Sequence, residues 1–132
     1  MIKYRKRRKY KYNLAEDYSY HTGFELVQPI LTGFLEMTVE GELLIRKGYS
    51  WDGPSGPTRD TPDFMRASLV HDALYQLMRS ERLNQNCREE ADRIMFKICR
   101  EAGMSTFRSH VVYRAVRLFG GKSAKPDLKE AP

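Results

Sequence analysis

Hydrophobic and polar residues alternate along the first 49 residues of the chain. The clearest example is the segment 35–46, in which alternating apolar side chains stand on both sides of Glu40-Gly41-Glu42. Such alternation is typical of half-buried strands, and Gly41 allows the backbone of a tight hairpin turn. Residues 1–13 and 16–22 are two further extended stretches. We therefore predict a small N-terminal antiparallel β-sheet.

The pattern changes after residue 48. Residues 48–62 are rich in glycine and proline, which predicts a loop without regular secondary structure. Beyond this loop, apolar positions recur at the helical spacings of three and four. We predict three helices, at about 62–78, 86–102 and 105–119, and hence an α+β fold with the sheet first and the helices second.

The first two predicted helices are joined by a short polar link at 79–84, so we expect them to form an antiparallel hairpin. The third helix is expected to bury an apolar face and to expose a polar one. The residues expected to pack are Val111, Val112, Ala115, Leu118 and Phe119. The residues expected outside are His110, Arg114 and Arg117.

The composition of the 132-residue chain is that of one compact domain, because 41% of its residues are hydrophobic and 30% are charged. We place this domain at 1–121 and a flexible tail at 122–132. No apolar run approaches the roughly 18 residues of a membrane span. The basic N-terminus is not followed by the apolar stretch of a secretory signal, so we expect a protein that stays in the compartment where it is made.

Positive charge is concentrated at the N-terminus of the chain, whose formal net charge is +6. The first twelve residues contain no acidic side chain and seven basic ones, which are Lys3, Arg5, Lys6, Arg7, Arg8, Lys9 and Lys11. Such a segment can bind an anionic membrane, a nucleic acid or an acidic protein surface. It can equally be an edge strand whose cations prevent aggregation.

Two cysteines, Cys87 and Cys99, fall on the second predicted helix. Their spacing of twelve residues is about 18 Å along a helix axis, which is too far for a disulfide. No histidine lies at the spacing of a tetrahedral zinc site. We expect two buried, reduced thiols and no zinc.

Residues with catalytic chemistry lie where the two hairpin helices should face each other. His71 and Asp92 are each about ten positions from the centre of the link, so they should meet across the interface. Tyr75 lies one turn after His71, and its hydroxyl should reach Asp92. An imidazole that donates one ring nitrogen to a carboxylate keeps the other as a base for activating water. The same residues can instead form an ordinary polar contact inside the core.

A further carboxylate, Asp72, should point sideways from the first helix toward the loop at 48–62. A carboxylate together with backbone carbonyls is the oxygen ligand set that Ca²⁺ prefers. A cation held there would polarise an ester carbonyl. The hairpin therefore offers a base, a group that orients it and a candidate Ca²⁺ ligand.

Three segments of the chain resemble known families. The first, 48–57, is Gly-Tyr-Ser-Trp-Asp-Gly-Pro-Ser-Gly-Pro. The second, 67–75, contains His-Asp-Ala-Leu-Tyr, and the third, 91–93, is Ala-Asp-Arg. Over roughly 30–120 the chain resembles a phage and prophage family of unknown function, the one numbered 1353. The same segments are similar to a shortened phospholipase A2 site, especially the disulfide-free version in parvovirus capsid proteins. In that site a Gly-Pro-rich calcium loop precedes a His-Asp-x-x-Tyr helix.

The phospholipase resemblance implies a role for each matching residue. It implies that His71 is the base, that Asp92 orients it and that Asp72 is the carboxylate ligand of Ca²⁺. Trp51, Gly53 and Gly56 correspond to loop residues that offer carbonyl ligands, and Asp52 adds a carboxylate to this loop.

Two functions follow from these resemblances. The first is a phage-encoded, Ca²⁺-dependent ester hydrolase that acts on the host membrane when the phage enters or lyses the cell. The second is a virion structural or adaptor protein, such as a tail or neck component, that uses the hairpin as a non-catalytic scaffold and contacts other virion proteins. Either function places the protein in the host cytoplasm or in the virion.

Overall fold

The computed structural model of the protein describes residues 2–6, 12–52 and 61–126. The chain divides into two compact units, Met1–Ser55 and Gly56–Pro132. Every strand in the described ranges belongs to the first unit, and every helix there belongs to the second. The predicted α+β class, with antiparallel sheet before helices, is therefore confirmed.

Within its described residues, the first unit contains two small antiparallel sheets where the sequence predicted one. Its strands are β1 (Tyr4–Lys6), β2 (Tyr12–Leu14), β3 (Tyr18–His21), β4 (Ile30–Leu31), β5 (Leu35–Met37), β6 (Glu42–Ile45) and β7 (Ser50–Trp51). One sheet has the order β1-β2-β7 and the other has the order β3-β6-β5-β4. The predicted stretch 1–13 is thus two strands, which pair with each other.

Strand β7 corrects the prediction that 48–62 has no regular structure. Tyr12 and Asn13 of β2 pair with Trp51 and Ser50, respectively. The Asn13 side chain strengthens this pairing because its amide donates to the carbonyl of Gly48 at 2.7 Å. The pairing partner lies far away in the chain, so local composition does not reveal the strand.

The predicted hairpin around Gly41 is present between β5 and β6. Leu35 lies opposite Ile45 and Met37 lies opposite Leu43, and all four side chains are buried. Alternation along both strands therefore puts one apolar face into the core. Gly41 has a φ of +90°, and a Cβ there would lie 2.4 Å from a backbone oxygen of Phe24. Only glycine fits this turn.

Between residues 61 and 126, the described part of the second unit, there are three long helices and one short one. They are α1 (Pro62–Arg79), α2 (Arg88–Glu101), α3 (Thr106–Phe119) and α4 (Gly121–Ala124). The long helices begin and end within two residues of their predicted positions. Pro62 occupies the first turn of α1, and the Ser105 side chain caps the N-terminus of α3. No helix in the described ranges is long and apolar enough to cross a membrane.

Helices α1 and α2 form the predicted antiparallel hairpin. Contacts between them join residues at increasing distance from the link, from Tyr75 with Arg88 through His71 with Asp92 to Arg66 with Glu101. This progression is that of two helices running in opposite directions. A 3₁₀ turn, Gln85–Cys87, precedes α2.

Helix α4 corrects part of the predicted tail at 122–132. Ala124 is fully buried, and its carbonyl accepts a hydrogen bond from Gln85. Arg79 donates to the carbonyl of Ser123 at 2.8 Å, which ties the short helix to the end of α1. Residues 127–132 lie outside the described residues.

The predicted packing face of α3 is wrong. Val112 is buried as expected, but Val111, Leu118 and Phe119 are exposed. Arg117, which was expected outside, directs its guanidinium to the buried carboxylate of Asp92. The buried charge of Asp92 requires a donor, so Arg117 points inward. Apolar residues occur on more than one side of α3, so their pattern alone does not show which side packs.

The two cysteines differ in their surroundings. Cys99 is buried, as predicted, and burial raises the pKa of its thiol to about 12. Cys87 lies in the 3₁₀ turn before α2 and is only half-buried, so the prediction of burial is wrong for it. Both cysteines are free, without a disulfide.

Candidate active site

The helical hairpin brings His71 and Asp92 into direct contact. His71 Nε2 lies 2.7 Å from Asp92 Oδ1, and both residues are buried. The contact predicted from the distance of each residue to the link is therefore present. A buried carboxylate is costly unless donors surround it, so the partners of Asp92 decide what the pair can do.

Among the described side chains, three donate to Asp92. Besides His71, the hydroxyl of Tyr75 donates to Oδ1 at 2.7 Å, as predicted, and Nη1 of Arg117 donates to Oδ2 at 2.8 Å. Burial alone would raise the pKa of Asp92. The hydrogen bonds from His71, Tyr75 and Arg117 outweigh burial and lower this pKa instead. Asp92 is therefore ionised at neutral pH.

The ionised carboxylate determines which nitrogen of His71 is basic. Because Asp92 can only accept, Nε2 of a neutral His71 carries the proton and Nδ1 carries the lone pair. Burial by itself would lower the pKa of the imidazole. The carboxylates of Asp72 and Asp92 outweigh burial, so the pKa of His71 is raised above 6.5. Nδ1 is thus a stronger base than that of an ordinary histidine.

Asp72 lies on the Nδ1 side of His71. Its Oδ1 is 3.9 Å from Nδ1, and its side chain is 34% exposed. The carboxylate is close enough to raise the pKa of the imidazole, through hydrogen bonding and through its charge. A partly exposed carboxylate beside the basic nitrogen is an oxygen donor of the type that Ca²⁺ prefers.

Arg88 was missed in the sequence, although it holds Tyr75 in place. Its Nε donates to the Tyr75 hydroxyl at 3.0 Å, and its Nη2 donates to the carbonyls of Val116 and Arg117 at 2.7 and 2.8 Å. These carbonyls lie at the C-terminal end of α3, where the helix dipole favours a cation. Arg88 therefore joins α2 and α3 and orients the hydroxyl that donates to Asp92. Its spacing of four residues before Asp92 is the signal that could have revealed it.

The C-terminal end of α3 approaches Tyr75 closely at Gly120. A Cβ at this position would lie 2.6 Å from the carbonyl oxygen of Val116 and 3.0 Å from the hydroxyl of Tyr75. Space for the hydroxyl therefore depends on the absence of a side chain. Burial and the charge of Asp92 raise the pKa of Tyr75, which keeps this hydroxyl a donor.

Arg117 was also missed, since the sequence predicted it on the outer face of α3. It lies on a different helix from His71 and Asp92, so spacing along the chain gives no signal for the contact. Its side chain is 32% exposed, while the Asp92 side chain is 0% exposed. The guanidinium thus extends from the surface into the cluster and supplies a positive charge to the buried carboxylate.

The residues predicted to surround Ca²⁺ fall into three groups. Asp72 is in α1, as described above. Trp51 is in β7, where its buried indole packs on the rings of Tyr12 and Tyr49, and Asp52 follows it with an exposed side chain. Gly53 and Gly56 lie outside the described residues. Within the part of the chain that is described, no three His, Cys, Asp or Glu side chains form a metal-binding group. Ca²⁺ binding stays a prediction.

The basic N-terminal segment is described only in part. β1 lies at the edge of its sheet, which fits the predicted edge strand. The backbone of Arg5 and Lys6 belongs to this strand, and Lys3 pairs with Glu16 at 2.9 Å. The remaining cations lie outside the described residues: Arg7, Arg8, Lys9 and Lys11. Binding of an anionic partner by this segment stays a prediction.

Comparison with known proteins identifies the family of the chain. A family model described as "Protein of unknown function (DUF1353)" matches residues 36–116. This range covers more than half of the chain and includes His71, Tyr75, Arg88 and Asp92. No curated protein and no solved structure matches the chain. The chain therefore belongs to the DUF1353 family of proteins of unknown function.

Proposed function

We propose that this protein is a phospholipase-A2-like ester hydrolase in which His71 is the general base. The observation that carries the proposal is the 2.7 Å hydrogen bond between His71 Nε2 and the buried carboxylate of Asp92. This bond sets the tautomer of the imidazole, and it leaves Nδ1 as the basic nitrogen. The raised pKa of His71 supports the same role.

In the first step, a water molecule bound at Nδ1 of His71 gives a proton to this nitrogen as its oxygen attacks the ester carbonyl carbon. Asp92 stays ionised and stabilises the imidazolium that forms. The tetrahedral intermediate then expels the alcohol, which takes the proton from Nδ1, and the acid is released. The base is restored at the end of the cycle, so water and ester are converted to acid and alcohol.

Tyr75, Arg88 and Arg117 position these groups. The hydroxyl of Tyr75 and the guanidinium of Arg117 keep Asp92 charged, and Arg88 keeps the Tyr75 hydroxyl directed at it. Asp72 would contribute a carboxylate ligand to Ca²⁺, which when bound supplies positive charge for the ester carbonyl oxygen. The donor type of Asp72 and its place beside Nδ1 suit this role.

The substrate class we propose is a phospholipid ester. The similarity of residues 67–75 and 91–93 to the phospholipase A2 site supports this class. A host membrane would supply the substrate when a phage enters or lyses the cell, and the basic segment 1–12 would hold the enzyme at its anionic surface.

The test is fatty-acid release from mixed phospholipid vesicles with millimolar Ca²⁺ or with a chelator. His71→Asn should lower the rate by at least about 100-fold, because a positioned general base contributes roughly that much or more. The matched control is His110→Asn, since His110 is an exposed histidine on α3. It should leave the rate unchanged. The rate should rise with pH to a midpoint above 6.5, because the base must be neutral and its pKa is raised. Absence of fatty-acid release by the wild type, or full activity of His71→Asn, would refute the proposal.

A second candidate function is a non-catalytic virion scaffold or adaptor that binds other virion proteins. The observation that favours it is that Asp92 and Arg88 join three helices through hydrogen bonds, which is what a polar core contact does. In that case His71→Asn would lower the free energy of unfolding by about 1–3 kcal/mol, and no ester would be hydrolysed. Thermal melting of the same variants therefore distinguishes the two functions.

A further inference from the structure

Helix α3 exposes a line of apolar side chains along one side. Phe107, Val111 and Leu118 are separated by four and seven residues, so they lie one above another on the helix. Their exposed fractions are 79%, 42% and 75%. Arg114 stands on the same line between Val111 and Leu118, and it is exposed. We call these four residues the α3 stripe.

Apolar surface continues beyond the stripe at the C-terminal end of the helix. Phe119, the last residue of α3, is 76% exposed. The opposite side of α3 buries Ser109 and Val112. The stripe therefore faces away from the residues through which α3 packs. Exposed apolar side chains aligned in this way mark a surface that binds a partner.

The charge of this part of the chain indicates which partner. Residues 105–126 contain no acidic side chain and five basic ones, which are Arg108, Arg114, Arg117, Lys122 and Lys125. Arg108 and Arg117 pair with Asp63 and Asp92, so the positive charge offered to a partner is that of Arg114, Lys122 and Lys125. Lys122 and Lys125 are exposed just beyond the end of α3. Apolar and positively charged side chains thus occur together on an exposed helix and its C-terminal extension.

We propose that the α3 stripe binds the surface of an anionic phospholipid bilayer, with α3 lying parallel to the membrane plane. Phe107 and Leu118 would enter the boundary between headgroups and acyl chains. Arg114, together with the lysines after α3, would contact the lipid phosphates. Binding of this kind requires no catalysis, so the inference does not depend on ester hydrolysis.

Other partners fit the α3 stripe less well. Two copies packed stripe against stripe would bring Arg114 of each chain together, and residues 105–126 contain no acidic group to neutralise them. A nucleic acid would contact the cations through its phosphates but would gain little from burying Phe107 and Leu118. A bilayer accommodates both kinds of side chain.

The experiment measures binding of the full chain to vesicles of ether-linked phosphatidylglycerol and phosphatidylcholine by sedimentation. Ether lipids contain no ester to hydrolyse, so binding is measured apart from catalysis. We expect Leu118→Ser and Phe107→Ser each to weaken binding by about fivefold or more, because each removes an apolar side chain from the boundary. The matched control is Leu31→Ser, since Leu31 is 68% exposed on β4. It should bind as the wild type does.

Charge is tested with Arg114→Glu, which should weaken binding to anionic vesicles, and with Arg82→Glu, a control at an exposed position in the link between α1 and α2. Circular dichroism should give the same spectrum for all variants, because the substituted side chains are exposed. The proposal is overturned if the wild type does not prefer anionic vesicles. It is also overturned if the serine variants of the stripe bind like the wild type, or if the stripe instead joins two copies, shown by a dimer that Leu118→Ser dissociates.

Discussion

Replacement of Arg117 by methionine tests whether this residue holds the charge of Asp92. The Arg117 Nη1 donates to Asp92 Oδ2 at 2.8 Å, and the carboxylate is completely buried. Methionine keeps much of the side-chain volume but removes the donor and the positive charge. One carboxylate oxygen of Asp92 then loses this hydrogen bond, while the other keeps His71 and Tyr75.

The expected loss of stability follows from these contacts. A hydrogen bond to a charged group contributes about 1.5–3 kcal/mol, and removing one partner of a buried ion pair costs about 3–5 kcal/mol. Because Asp92 keeps two donors and Arg117 is partly exposed, we expect a loss of about 2 kcal/mol at neutral pH. The control Arg82→Met, at an exposed position, should change the free energy of unfolding by less than about 0.5 kcal/mol.

The loss should depend on pH in a defined direction. Without the cation at position 117, the charge of Asp92 acts more strongly on His71, so the raised pKa of His71 should rise further in the folded state. A group with a raised folded-state pKa stabilises the fold below its unfolded pKa, and this stabilisation disappears as pH rises through the folded-state pKa. The variant should therefore be closest to the wild type near pH 5 and farthest from it near pH 9.

The assay is urea unfolding of both proteins at several pH values, with the pKa of His71 followed by NMR titration of its ring protons. A loss of stability that is the same at all pH values would contradict the proposed coupling. So would an unchanged or lowered pKa of His71 in the variant. Either result would mean that Arg117 packs against the cluster without setting its charge.

Three other outcomes follow from the structure. Gly120→Ala should lower the free energy of unfolding by about 1–2 kcal/mol, because the added Cβ would lie 2.6 Å from a backbone oxygen. The control is Gly33→Ala, which should change the free energy of unfolding little, because a Cβ at position 33 has no atom within 4 Å. Thermal melting compares the two variants. Under native conditions a thiol reagent should react faster with the half-buried Cys87 than with the buried Cys99. Stoichiometric zinc in the purified protein would contradict the predicted absence of a zinc site. Asp72→Asn should abolish Ca²⁺ binding in calorimetric titration and lower the pKa of His71, because it removes a neighbouring negative charge; unchanged Ca²⁺ uptake would remove Asp72 from the ligand set.

The helices and the central contact of the site were determined by the sequence itself. Periodic apolar positions, a proline at the start of α1 and the short link at 79–84 act over one or a few turns, so they can be read locally. Once two helices are joined by a short link, residues equidistant from it must meet. This geometry is why the contact of His71 with Asp92 followed from counting positions.

The tertiary structure alone decided which side of α3 packs. Val111 and Val112 are adjacent and face different directions, so the apolar pattern allows either side to be buried. The choice depends on Asp92, a buried charge on another helix that requires a cation, and Arg117 supplies it. Strand β7 is decided in the same way, since its backbone pairs with residues 12 and 13 far back in the chain. Long-range pairing of charges and of backbone groups leaves no local pattern, and this is why these features became visible only in the folded chain.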